Sequence, residues 1–371
     1  MHRLKKFAFL GATFGALMTT PWKLAYQKKT PSDEGDIISY EGFSDHIVHD
    51  LSKVKLFSIN KNRDMANEIA FHLNTRLSKL RIFRISEGND SYIEILENVR
   101  SKHVYLICCF SSEQSLNTTL IDLFLAISAA KRASASKVIV VMPYYAYTRQ
   151  NDINHRNRKS YFAADIAQLL EVAGADRVIT GNQQTPSSHG FFNIPIVEVD
   201  GFRAVTTYYR DYKFKDLVVV CPNDKLFQHC LNVKLHLEEI GHKNVDIGFF
   251  ALTGDQKLQY IGAPVKDRDV LIIDSIIDTG GTLVKSAANL HALGANNIYA
   301  FGVHGVFAGE AREKIEKSHI QELVVTNTVP IDISQYSSKI NQVSIAKMLA
   351  EAIAQTSFNK PLDQLKKEGI I

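Results

Sequence analysis

Cysteine is scarce in this chain and has no pairing pattern. The four in 371 residues, Cys108, Cys109, Cys221 and Cys230, sit in apolar or mixed segments and none forms a CxxC spacing. That argues against a zinc ribbon, a CxxC redox motif and a disulfide-knotted secreted domain, and it predicts buried, inert thiols in a reducing compartment. Low-complexity tracts and short-period repeats are missing as well, which removes fibrous and solenoid architectures. Acid is absent from residues 1–30, which carry six Lys or Arg; the remainder holds 37 bases against 39 acids. A body so evenly balanced is not a nucleic-acid binder by charge. What is present is 45% apolar content, enough to bury ordinary cores over a length of about two domains.

The basic leader MHRLKKFAFLGATFGALMTTPWKLAYQKK has an uncharged run of 16 residues, Phe7 to Trp22, and more lysines before the first acid at Asp33. Three readings fit it. A mitochondrial presequence lacks acids, as this does, although this stretch is more apolar than that type. A secretory signal is the second, with a weak small-residue cleavage pattern. An uncleaved anchor is the third: the run is short of the roughly 20 residues of a span, but flanking Lys and the interface-favouring Trp22 and Tyr26 suit membrane contact through residues 7–22. The expectation is a targeting leader or anchor over 1–35 and a mitochondrial destination. A polar link, Lys28 to Asp36, follows.

Beyond it, short β-branched runs alternate with stretches of helical spacing. Val54–Ile59, Val104–Cys109, Lys137–Met142, Val178–Thr180, Leu217–Val220, Val270–Ile273, Ile298–Val303 and Leu323–Val325 read as strands. Leu120–Ala133, Phe162–Ala173, Leu226–Glu239, Leu283–Leu293 and Ala311–Lys317 read as helices. Such alternation predicts an α/β fold of mainly parallel sheets flanked by helices. It occurs twice, up to about residue 200 and again after it.

One stretch carries chemistry. In RDVLIIDSIIDTGGTLVKSA, residues 268–287, an apolar strand delivers Asp274, a second acid follows at Asp278, and Thr279, Gly280, Gly281 and Thr282 open a helix. Backbone amides and the positive end of a helix dipole then lie under a bound anion, and paired glycines let the backbone come close to a phosphate. Threonine hydroxyls add donors. Strand-end carboxylates can grip sugar hydroxyls or a magnesium ion, on the carboxyl edge where open α/β sheets bind ligands. The candidate substrate-binding set is therefore Asp274, Asp278, Thr279, Gly280, Gly281 and Thr282.

From about Val54 to Ala354 the chain resembles the ribose-phosphate pyrophosphokinases. VLIIDSIIDTGGT (270–282) is similar to their ribose 5-phosphate loop. AISAAKRASASKVIVVMPYYAYTRQ (126–150), LLEVAGADRVIT (169–180), HGFFNIPIVEVD (189–200), VHGVFAGEA (303–311) and VVTNTVP (324–330) match in the same order. The resemblance implies two phosphoribosyltransferase-like domains, at 36–200 and 201–357 with a tail over 358–371. It implies transfer of the diphosphate of MgATP to the C1 hydroxyl of ribose 5-phosphate, in homodimers stacked into larger assemblies.

The same resemblance exposes departures. The family's metal-side Asp and the His two residues later are Asn182 and Gln184 here. Its Arg-Gln-Asp is Arg149-Gln150-Asn151, and its Pro-Asp-Ala-Gly-Gly is Pro222-Asn223-Asp224-Lys225-Leu226, with Asp224 as an adjacent alternative acid. Its acidic pair at the ribose is Asp274-Ser275. The flap Lys and Arg fall near Phe250, Leu252 and Gly254, and the adenine-packing Phe-Ser-Asn/Asp-x-Glu becomes residues 85–90. Asn182, Gln184, Asn223 and Ser275 are thus degenerate catalytic positions, and no catalytic residue or metal ligand is assigned. Arg149, Gln150 and Arg158 remain as nucleotide-binding candidates, and magnesium and ATP are the cofactors if the chain is active. The expectation is a catalytically impaired synthetase-like subunit, regulatory or structural, in a mitochondrial assembly. Its partners would be its own copies, related synthetase subunits or a larger complex, with a phosphorylated ligand and no nucleic acid. The alternative is an active diphosphokinase serving nucleotide biosynthesis.

Overall fold

The computed structural model describes residues 53–60, 63–85, 90–110, 115–148, 162–183, 186–252, 258–332, 338–358 and 360. The leader, Arg149, Gln150, Arg158, Gln184, Gly254 and most of the 358–371 tail lie outside the described residues. Among the described residues no helix is long and apolar enough to cross a membrane.

Beta-branched runs bounded by turns make the first half. It comprises β1 (Val54–Ser58), α1 (Asp64–His72), β2 (Leu80–Ile85), β3 (Asp90–Ile95), β4 (His103–Ile107) and α2 (Leu116–Arg132). Then come β5 (Lys137–Met142), α3 (Phe162–Ala173), β6 (Arg177–Gly181) and β7 (Ile196–Val199). The strands β1-β4-β5-β6-β7 form one sheet, parallel throughout. A sheet buried on both faces needs continuous apolar strands, and Val138 to Met142 of β5 are all buried.

The second half repeats the scheme. It runs α4 (Ala204–Tyr209), β8 (Val218–Cys221), α5 (Phe227–Glu239), β9 (Asp246–Leu252), β10 (Leu258–Gly262), β11 (Val270–Ile277) and α6 (Gly281–Ala292). It ends with β12 (Ile298–Gly305), α7 (Ala311–Glu316), β13 (Glu322–Thr326), β14 (Ile340–Val343) and α8 (Ala346–Phe358). Its sheet order is β10-β9-β8-β11-β12-β13-β14, parallel except for the β9–β10 hairpin.

One core joins the halves. Leu56, Tyr105, Ile139 and Ile179 from the first sheet share it with Val219, Leu271, Phe301 and Val324 from the second. A fully buried aliphatic side chain there, such as Leu271, contributes about 1.5–3 kcal/mol over its exposed state. The Ala-rich α8, last in the chain, packs back on α1 and the first sheet, and the Tyr105 hydroxyl and the Ser357 Oγ are hydrogen-bonded at 2.7 Å.

Among the elements that escape sequence reasoning, three do so for one reason. β2 and β3 form a separate hairpin, and β10 is an edge strand; each alternates half-buried with exposed residues and so lacks the apolar run of a central strand. The hairpin is fastened to α2 through Arg84, whose guanidinium donates to both oxygens of the buried Asp122 at 2.8 and 2.9 Å. The cysteines need a correction. Cys108 and Cys109 are buried thiols, with burial pushing the Cys109 thiol up to about 12. Cys221 and Cys230, however, are joined in a disulfide. β8 ends at Cys221 and α5 folds straight back over it, which brings the two Cα atoms to 6.2 Å.

Candidate functional site

The loop after β11 has the predicted geometry. Gly280 takes φ 70°, ψ 0° and caps α6 from the left-handed region, where a side chain is strained. Thr279 and Thr282 are exposed. The first N–H groups of α6 have no intrahelical acceptor, so they and the helix dipole face whatever occupies the loop. Its far side is braced by the segment after β12: Val306 and Phe307 donate to the Ile277 carbonyl, and Ala308 N–H donates to that of Asp278 at 3.0 Å.

Two strands deliver their ends to one edge. β8 and β11 are parallel neighbours with Val220 opposite Ile272, so Asn223 and the Asp274–Ser275 pair leave the sheet on the same side. Asn223 has extended backbone and its Oδ1 is buried without a partner. Ser275 is 7% exposed. Burial pushes the Asp274 carboxyl up to about 7, against the pull of the Ser275 and Ile276 N–H groups that donate to it.

Asn182 occupies a different environment. It follows β6 and is 6% exposed. Its Oδ1 accepts from Gly201 N–H at 2.6 Å and its Nδ2 donates to Asp200 Oδ1 at 3.3 Å. Its carbonyl accepts from His304 Nε2 on β12 at 2.8 Å. Burial holds His304 down at about 4, so the ring is neutral near pH 7. The bond to a carbonyl puts its proton on Nε2, and Nδ1 accepts from the Thr328 hydroxyl at 2.9 Å.

Phe250, near the expected flap position, is a core residue with 1% exposure, its ring centroid 5.6 Å from that of Tyr260. A cavity of about 400 Å³ lies elsewhere, between the end of β1, the β2–β3 hairpin and α2. It contains none of the predicted site residues. Among the described residues no group of three or more His, Cys, Asp or Glu is placed to hold a metal ion. Magnesium takes hard, mostly anionic oxygens; Asn223 and Ser275 bring an amide and a hydroxyl, and the polar atoms of Asn182 are engaged inside the protein. These positions do not fit the ion.

Sequence reasoning missed Asp200 and His304. His304 has a legible signal, an imidazole inside a strand between Val303 and Gly305. Asp200 has none, because only the fold brings it to Asn182.

Two parallel α/β halves, the second with a glycine-cornered loop at the carboxyl edge of its sheet, define a phosphoribosyltransferase-like protein of the two-domain kind. The N-terminal domain of ribose phosphate pyrophosphokinase matches residues 54–174, and the phosphoribosyl synthetase-associated domain matches 252–366. The chain is 35% identical to the ribose-phosphate pyrophosphokinase of Oceanobacillus iheyensis over 306 residues, covering 81% of this chain and 93% of that one. It is 35% identical to ribose-phosphate pyrophosphokinase 1 of Listeria monocytogenes over 320 residues, covering 84% and 97%. The crystal structure of phosphoribosylpyrophosphate synthetase from Mycobacterium smegmatis superposes with a TM-score of 0.74 at 27% identity, over 83% of this chain and all of that one. The chain belongs to the ribose-phosphate pyrophosphokinase family.

Proposed function

We propose that this chain keeps the family's hold on a sugar phosphate but has little or no synthetase activity, and that it serves as a regulatory or structural subunit of a mitochondrial assembly. One observation carries the reading. The edge that presents the intact Gly280 loop also presents Asn223 and Ser275 where the family resemblance calls for acids. A carboxylate replaced by an amide keeps its shape and loses the charge that balances a cation. Phosphoryl-type transfer depends above all on such charge balance.

The basic, acid-free leader supports an organellar destination, and its uncharged run from Phe7 to Trp22 supports contact with a membrane. The partners in this reading are copies of the chain or related synthetase subunits, and the boundaries are those at residues 36, 201 and 358. A second reading, an active diphosphokinase using magnesium and ATP, is favoured by identity of 35% across more than four-fifths of the chain to relatives named as pyrophosphokinases. The full chain incubated with MgATP and ribose 5-phosphate separates the two. Release of AMP at an ordinary enzyme rate of about 1 s⁻¹ or more decides for the active enzyme; a rate orders of magnitude lower, with ribose 5-phosphate still bound, decides for the subunit.

A further inference from the structure

The turn after β6 is held by a single residue used three ways. Asn182 Oδ1 accepts from Gly201 N–H at 2.6 Å, and its Nδ2 donates to Asp200 Oδ1 at 3.3 Å. That same Asp200 oxygen accepts from Phe202 N–H at 3.1 Å, capping the short 3₁₀ turn Gly201–Arg203. One amide and one carboxylate therefore fasten the entry to the second half. The Asn182 carbonyl ties this turn to the second sheet through His304. Thr326 and Thr328 on the next segment complete the chain of buried bonds, with the Thr326 hydroxyl donating to the Val303 carbonyl at 2.6 Å.

The junction is also closed sterically. A Cβ on Gly201 would stand 2.8 Å from Val303 Cγ1 and 3.1 Å from Asn182 Oδ1. A Cβ on Gly181 would stand 2.5 Å from the Pro143 carbonyl oxygen and 3.4 Å from His304 Cε1. Neither glycine has space for even a methyl group unless a neighbour shifts.

We propose that Asn182 is a positioning residue that locks the two sheets together, and that its amide is required by Asp200. In this pair one member must donate and the other must accept. A carboxylate at 182 would keep the bond from Gly201 N–H but set two acceptor-only groups 3.3 Å apart in a part-buried junction, where the other Asp200 oxygen lies 3.8 Å from His236 Nε2. The acid is not simply missing from position 182; a partner acid at 200 forbids it. The claim stands whether or not the chain retains synthetase activity, and its test reads no activity.

Thermal unfolding of the full chain at neutral pH, with EDTA or with millimolar magnesium, is compared for the parent, Asn182→Asp, Asp200→Asn and the double variant. Asn182→Asp is expected to lower the melting temperature by roughly 5 °C. Asp200→Asn places two amides together and is expected to cost less. The double variant reverses donor and acceptor while keeping the pair, and should melt within about 2 °C of the parent, a strong departure from additivity. If Asn182→Asp alone yields no soluble protein, recovery of a cooperative transition in the double variant is the same positive result. An Asn182→Asp protein as stable as the parent, or a double variant no better than that single one, overturns the proposal. So does magnesium that stabilises Asn182→Asp more than the parent, since the junction would then be open to a cation.

Discussion

The carboxyl edges of the two sheets have diverged in opposite directions. At the edge of the first, Gly181 and Gly201 pack against Pro143, Val303 and His304 at contact distance, and the bonds of Asn182 run to Gly201, Asp200 and His304. At the edge of the second, Thr279 and Thr282 are exposed, the first amides of α6 point outward, and the nearest atom to a Cβ on Gly280 would be 3.6 Å away. The same sheet architecture closes one edge around Asn182 and leaves the other open at the Gly280 loop. The difference lies in the segment after each strand. β6 runs into a turn pinned by Asp200, whereas β11 runs into a helix whose N-terminus leaves donors over.

The glycines test this contrast, because they are needed for different reasons. Gly181 is required sterically: it has ordinary backbone angles but stands against a carbonyl oxygen that cannot give way. Gly181→Ala is expected to destabilise the chain by at least about 3 kcal/mol, the range of severe overpacking. Denaturant titration would read it as a fall in midpoint with unchanged slope. A loss below about 1 kcal/mol would mean that β6 shifts freely, and the closed edge would be looser than its contacts.

How far the sequence shows this asymmetry depends on distance along the chain. The Gly280 loop is legible because strand, acid, glycines and helix are consecutive, and the α/β alternation is legible because each buried parallel strand is a continuous apolar run. The hairpin β2–β3 hides because its strands are only half-buried, and α8 because nothing local says that a terminal helix returns to the first sheet. The role of Asn182 is illegible for a sharper reason. Residue by residue it reads as an eroded acid, and only the approach of Asp200, 18 residues on, shows the amide to be occupied. The Cys221–Cys230 bond is hidden in the same way, since it depends on α5 folding over the end of β8.

The second edge differs from the first in carrying an acid under tension. Asp274 titrates near 7 in the folded chain and near 4 when unfolded. The folded state therefore holds the proton more tightly, so its stability is fully present below about pH 4 and is lost as pH rises through 7. Asp274→Asn should raise stability by up to roughly 4 kcal/mol above pH 8 and remove that part of the decline between pH 4 and 7, with little change in acid. Parallel pH profiles for parent and variant would show that the carboxyl is already solvated, and the edge more open than its burial indicates. Inorganic phosphate at the loop would sharpen the effect, since a neighbouring anion raises the carboxyl further.

Gly280→Ala should give the smallest effect on stability and the clearest one on binding. A Cβ there meets nothing closer than ordinary contact with Ile315, so the cost is the left-handed backbone alone, about 1 kcal/mol. The fold should survive, with a melting temperature lower by roughly 1–2 °C. The anion loop depends on the same angle, φ 70° at the helix cap, for the direction of its amides. If the alanine moves the cap toward negative φ to relieve the strain, those amides turn away and ribose 5-phosphate loses at least about tenfold in affinity, the equivalent of one good hydrogen bond to a charged group. Calorimetry on parent and variant reads both quantities from one preparation. Equal affinities would place the ligand away from the α6 N-terminus, and the comparison of the two edges would then rest on their packing alone.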